Sequence, residues 1–225
     1  MNALPKIDAV AFWLEGVLAP SLADLCAVIC FAKPIASVDI QPRLGLRAAI
    51  EQLALGHLQP LDFCQQVVEI SGVALTAPAL EAALLERLRL RDDVSPILAD
   101  LPAPVARWLV TGLPRRWIEA TVSQPLQKLI PPDRWLFTAE IGLPRLIPDL
   151  FAAWIDRAGL PMSACMIVDA ITPNAVEAIR HGLHSAIYVD ARRLRREFVL
   201  RRMLPAPPGF VFPRPVDAEP KEAPR

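Results

Sequence analysis

Apolar and polar positions along this chain fall into two regimes. Residues 7–13 are apolar apart from Asp8, the pattern of a strand buried on both faces of a parallel sheet. From Ser21 to about Arg91 the spacing turns helical. Ser21 predicts a cap for a helix over 22–32, Pro42 opens one reaching 55, Pro60 introduces 61–71, and Thr76 precedes 79–90. In the last of these, Leu80, Leu84, Leu85 and Leu88 make an apolar stripe beside Glu81, Glu86, Arg87 and Arg89.

Strand character resumes over 105–111, followed by a helix over 116–129, a short strand over 135–138 and a helix over 148–158. A strand over 165–169, a helix over 174–181 and a strand over 185–189 complete the pattern. Strands alternating with helices at this spacing predict an α/β fold, a doubly wound, Rossmann-like parallel sheet covered on both faces. The core is expected over 1–18 and 97–195, interrupted by an all-helical cap over 19–96. Sheets of this kind bind ligands at the carboxyl ends of their strands, where Trp13, Thr111 and Asp169 fall. A basic helical stretch over 191–203 follows, its end spanning 196–204, and the Pro-rich, charged tail over 205–225 is expected to be disordered.

Composition narrows the function classes. With 53% apolar and 21% charged residues in 225, the chain reads as an ordinary globular protein. The formal net charge is zero, so no global field recruits nucleic acid or an anionic membrane. The most apolar stretch, 22–32, contains Asp24 and falls short of the ~20 residues of a bilayer span. The first residues carry only Lys6 and no apolar run with a small-residue cleavage site, which predicts a cytoplasmic protein. Cysteines at 26, 30, 64 and 165 have no Cys-x-x-Cys spacing and fit buried, reduced thiols. Cys26 and Cys30 lie one helical turn apart, but no further Cys or His beside them suggests a metal site.

Four segments carry a more specific signal. Residues 7–18, Ile-Asp-Ala-Val-Ala-Phe-Trp-Leu-Glu-Gly-Val-Leu, run from a strand into a tight glycine turn. Thr111 ends the segment Trp-Leu-Val-Thr-Gly, and residues 137–151 read Phe-Thr-Ala-Glu-Ile-Gly-Leu-Pro-Arg-Leu-Ile-Pro-Asp-Leu-Phe. Val168-Asp169-Ala170 is followed by Asn174, Val176, Ala178 and Gly182. In this order, with a helical insert after the first, they resemble the four motifs of the haloacid dehalogenase-like (HAD) hydrolase superfamily. The resemblance runs to about residue 195 and is to the branch whose cap follows the first motif.

What the resemblance implies is a site whose chemistry has been altered. In that family the first motif reads Asp-x-Asp, and its first Asp attacks the substrate to form a covalent aspartyl intermediate. Trp13 stands there, and an indole is no nucleophile. Glu15 stands at the general acid/base position, one methylene longer than Asp. Thr111 corresponds to the hydroxyl that bonds the transferred group and Arg145 to the charge-neutralising Lys. Asp169 keeps one of two adjacent acids that hold Mg²⁺, with Ala170 replacing the other. One clear carboxylate is a poor cage for an octahedral, oxygen-loving ion. The expectation is a degenerate member, a pseudoenzyme that binds, regulates or serves as a structural subunit, with no cofactor. The alternative is an atypical hydrolase of a small phosphorylated metabolite, in which Glu15 or Asp169 activates water, Arg145 and Thr111 hold the anion, and Mg²⁺ is used. A third reading is a small-ligand sensor using the cap–core cleft.

Plainer roles stand beside these. Trp13 fills core volume, which itself closes a pocket. Asp169 and Arg145 pair across the vacated site, and Thr111 is a satisfied hydroxyl at a strand end. His181 and His184 flank Gly182, where the helix is expected to end, an arrangement ill suited to holding a metal. For partners, Arg192, Arg193, Arg195 and Arg196 on the basic helix suit an anionic protein surface. The lack of interleaved aromatics and the neutral balance argue against nucleic acid. Phe210, Val211 and Phe212, framed by prolines, are expected to be exposed and suited to docking on a protein. The apolar stretch 22–32 makes a homo-oligomer conceivable.

Overall fold

The computed structural model describes residues 6–143 and 148–212. Arg145 and residues 213–225 lie outside them. In chain order the elements are β1 (Ala9–Trp13), α1 (Leu22–Phe31), α2 (Ile40–Ala54), α3 (Pro60–Ser71), α4 (Ala77–Arg87), α5 (Ser95–Asp100), β2 (Ala106–Thr111), α6 (Arg115–Thr121) and α7 (Ser123–Gln127). There follow β3 (Trp135–Phe137), α8 (Thr138–Ile141), α9 (Pro148–Ala158), β4 (Cys165–Asp169), α10 (Thr172–Arg180), β5 (His184–Ile187) and α11 (Ala191–Leu200).

The five strands form one parallel sheet in the order β3-β2-β1-β4-β5. β1 is central and every residue in it is buried, as its unbroken apolar sequence requires of a strand covered on both faces. The chain winds outward from β1 through β2 to β3, then returns to the other side of β1 for β4 and β5. The strand order therefore reverses at β1, and the carboxyl ends of β1, β2 and β4 meet at that switch point. Trp13 pairs in register with Val110, one residue before Thr111, and Phe12 pairs with Val168, one residue before Asp169.

Helices α1–α4 lie between β1 and β2 and pack on one another. Ser21 caps α1 by accepting the Asp24 amide at 3.1 Å, and Thr76 caps α4 by accepting the Ala79 amide at 3.3 Å. These helices share the main core: Leu46, Leu53, Phe63, Val67, Leu80 and Leu84 are all nearly inaccessible. An edge-to-face contact between Phe63 and Trp117 of α6, centroids 6.1 Å apart, joins α3 to the sheet-side helices. Trp117 Nε1 donates to Glu81 of α4 at 2.6 Å.

Several expected boundaries shift for identifiable reasons. The single helix expected over 116–129 is two, α6 and α7, broken at Val122. Pro125 has no N–H to bond the Thr121 carbonyl, and its ring crowds that carbonyl. Helix α4 stops at Arg87 rather than 90 because Leu88 turns extended (φ −74°, ψ 95°) and buries its side chain. Helices α2 and α10 begin two residues earlier than expected, since Pro42 and Pro173 are tolerated inside a first turn. Phe210 is also corrected. Expected to be exposed, it packs against the core and stacks edge-to-face on Phe212, whereas Val211 is 86% exposed.

Candidate functional site

Buried polar side chains among the described residues are concentrated in one place. Glu15, Thr111, Thr138, Asp169 and Asn174 are each less than a tenth exposed, and all lie at or just beyond the carboxyl ends of β1–β4 or in the helix after β4. Burying polar groups is costly unless each is bonded, so their partners define what this site does.

Trp13 ends β1 and is 1% exposed. Beyond it the chain turns sharply: Leu14 bonds back to Val110, and the Leu14 carbonyl accepts from both Leu18 and Ala19. Gly16 sits at φ +90°, in the left-handed region, and a Cβ there would lie 3.0 Å from the Ala170 methyl. The turn thus leaves Glu15 pointing across the strand ends. One carboxylate oxygen, Oε2, accepts from Thr111 Oγ1 at 2.9 Å, and the other, Oε1, accepts the Gly112 amide at 2.8 Å. Thr111 Oγ1 in turn accepts the Leu113 amide at 3.1 Å. Gly112 admits this approach because it has no side chain. A Cβ there would meet Ala54 at 2.9 Å and Glu15 Oε1 at 3.2 Å.

Asp169, fully buried at the end of β4, is held from the following turn. Its Oδ1 accepts the Ile171 amide at 3.0 Å, and its Oδ2 accepts the side-chain amide of Asn174. Thr138, after β3, donates to the Ala54 carbonyl at 2.7 Å and fastens the end of α2 over the sheet. The sheet therefore brings Trp13, Glu15, Thr111 and Asp169 together at its carboxyl edge. Arg145 lies outside the described residues. Sequence reading quoted Thr138 and Asn174 within motifs but gave them no role. The signal for Asn174 was its place in the first turn of a helix that begins just after Asp169.

A divalent cation does not fit these residues. Trp13 and Ala170 offer no side-chain oxygen, both Asp169 oxygens are engaged by amide donors, and the described residues hold no group of three acids, His or Cys able to grip a metal. Neither the 10 Å³ cavity beneath α1 and α4 nor the larger one beside β2 is lined by Trp13, Glu15, Thr111 or Asp169. The histidines do not converge either: His181 meets Glu177 at 3.0 Å and His184 the Ser163 carbonyl at 3.0 Å. All four cysteines are free thiols. Burial raises each, Cys64 to about 12 and Cys165 to about 11.

No protein-family model matches the chain, and no curated protein matches it in sequence. Its fold does match solved structures. A HAD family enzyme from Bacteroides thetaiotaomicron superposes with a TM-score of 0.65 at 15% identity, covering 82% of this chain and 94% of that one. A predicted HAD-like family hydrolase from Porphyromonas gingivalis gives 0.58 at 17%, covering 81% and 91%. The L-2-haloacid dehalogenase of Xanthobacter autotrophicus, solved with chloropropionic acid covalently bound, gives 0.60 at 19%, covering 89% and 85%. With a central β1 flanked by β2 and β4 and polar groups gathered at their carboxyl ends, this chain has the haloacid dehalogenase-like fold.

Proposed function

We propose that this protein keeps the HAD fold without the hydrolase chemistry and acts as a non-catalytic binding, regulatory or structural subunit. The observation that carries the reading is Trp13, buried where the resemblance puts the nucleophile, at the end of the central strand. The remaining acids support it. Among the described residues, Glu15 bonds Thr111 and Gly112 at the end of β2, and Asp169 bonds Ile171 and Asn174 in the turn and helix that follow it, partners that serve the fold. In this reading α1–α4 are a cap retained as scaffold, and the protein works in the reducing cytoplasm that its free thiols suit. The exposed face of α11, with Arg192, Arg193 and Arg196, and the exposed Val211 and Phe212 are where a protein partner docks.

The Bacteroides enzyme has also been solved with magnesium and inorganic phosphate. Calorimetric titration of this protein with Mg²⁺, alone and with inorganic phosphate, separates the two readings. The non-catalytic reading expects no Mg²⁺ heat and no phosphate binding that depends on it. Saturable Mg²⁺ binding abolished by Asp169→Asn would instead favour an atypical phosphatase, in which Glu15, already bonded to Thr111, serves as the proton-moving group.

A further inference from the structure

At the opposite end of the sheet lies a feature that the vestigial site does not explain. An open cavity of about 410 Å³ is lined by Ala106 and Trp108 of β2, Asp133 and Arg134 of the turn before β3, and Arg157 and Ala158 at the end of α9. Ala106 is five residues before Thr111, so its mouth is ~16 Å along the strand from the carboxyl edge. Its size falls within the ~300–1,000 Å³ of small-molecule sites.

The lining chemistry is one-sided. Arg134 and Arg157 each present a guanidinium with five N–H donors, and neither has a hydrogen-bond or ion-pair partner among the described residues. Trp108 is 6% exposed, and its indole N–H is buried with no partner among the described residues, a state that buried donors rarely keep. Asp133 is the single acid of the lining. A third cation is close by. Arg107, bonded to the Leu98 and Leu101 carbonyls, is disfavoured in its charged form by burial and by Arg134. Two arginines against the one acid of the lining, with Glu140 also within electrostatic reach of Arg157, and apolar walls from Ala106, Ala158 and the indole describe one kind of guest. The carbonyls ending α9 carry about half a negative charge, and the two arginine charges outweigh it.

We propose that this cavity binds a small organic anion, an oxyanion carried on a planar or apolar group. The oxyanion sits between Arg134 and Arg157, and the flat portion lies against Trp108. This site is independent of the loss of hydrolase chemistry, and its test is independent too.

The test uses ¹⁵N-labelled full-length protein titrated with phenyl phosphate, benzoate and phenol. The Trp108 indole N–H signal is assigned by its loss in Trp108→Phe. Saturable movement of that signal with phenyl phosphate or benzoate, and none with phenol, is the expected result, and the tighter of the two anions identifies the headgroup. Arg134→Gln with Arg157→Gln, at half-exposed and exposed positions respectively, should weaken binding about tenfold or more while leaving the melting transition in place. Asp169→Asn should leave binding unchanged. No saturable shift with either anion, equal binding of phenol, or binding untouched by the double arginine variant overturns the proposal.

Discussion

Glu15 and Thr111, 96 positions apart in sequence, meet in a 2.9 Å hydrogen bond inside the protein, and the same carboxylate holds the Gly112 amide at 2.8 Å. β1 and β2 are thereby tied at their carboxyl ends by a side chain as well as by their ladder. Glu15→Ala leaves a buried hydroxyl and amide without their acceptor and is expected to cost about 3 kcal/mol. Glu15→Gln, which keeps the shape but turns an amide donor toward a donor, should cost about 1–3 kcal/mol. Urea denaturation measures both, and a neutral Glu15→Ala would show that the carboxylate is no structural tie.

Trp13 carries a second stability prediction. Trp13→Ala should lose about 3–5 kcal/mol through the cavity left in a fully buried strand end. Trp13→Phe, which refills part of that space, should recover much of it. Thermal melts of the pair give the ordering, and equal losses would mean that the indole's volume is unimportant.

Asn174 and Asp169 predict a pH effect. Asn174→Asp sets two buried carboxyls in contact, so one must keep its proton and its folded pKa rises above the unfolded value near ~4. Stability of the variant relative to wild type should therefore be greatest at low pH and decline as pH rises above ~4 through the raised pKa. Denaturation midpoints that track wild type from pH 4 to 8 would contradict this.

At the surface, Arg115 grips Glu140 through two bonds of 2.6 and 2.9 Å and holds its carboxyl below the usual range, chiefly by that hydrogen bonding. A depressed pKa gives stability that is present above the unfolded value and lost as pH falls through the folded one. Both side chains are more than 40% exposed, so solvent screening keeps the contribution below about 1 kcal/mol. Arg115→Met should raise the Glu140 pKa toward the ordinary value in a carbon-detected NMR titration and hardly move the melting point.

The thiols give a footprinting prediction. Burial disfavours each thiolate, most severely for Cys26 and Cys64, while Cys30 is partly open to solvent. Brief alkylation near pH 8 should label Cys30 first, with Cys26, Cys64 and Cys165 labelled only on unfolding. Mass spectrometry of the peptides checks the order.

Much of the fold could be read from residue pattern. The strand over 165–169 and the helix over 148–158 match β4 and α9 residue for residue, because four apolar residues ending in an acid and a strongly two-faced helix leave little latitude. The break at Val122 was written in Pro125 and passed over. Phe210 was misjudged because composition cannot tell a Pro-framed segment that folds back on the core from one that does not. At the site, Trp13, Thr111 and Asp169 end their strands as their positions implied, and Glu15 lies two residues beyond Trp13. What sequence could not supply was who holds whom. Asn174 became the partner of Asp169 only because the turn through Ile171 brings the first turn of α10 beneath β4. The cationic cavity was invisible for a similar reason: Trp108, Arg134 and Arg157 come from three elements that only the sheet's winding brings together.

The most direct measurement of the central claim is turnover by the purified protein, with Mg²⁺, of a panel of phosphate esters and of 2-chloropropionate. Trp13→Asp with Ala170→Asp is assayed beside it, after its fold is checked by circular dichroism. The account predicts no hydrolysis above background by the wild-type protein at any substrate concentration. Hydrolysis by the wild-type protein that disappears in Glu15→Gln or Asp169→Asn, with both variants folded, would contradict it and restore the site to catalysis.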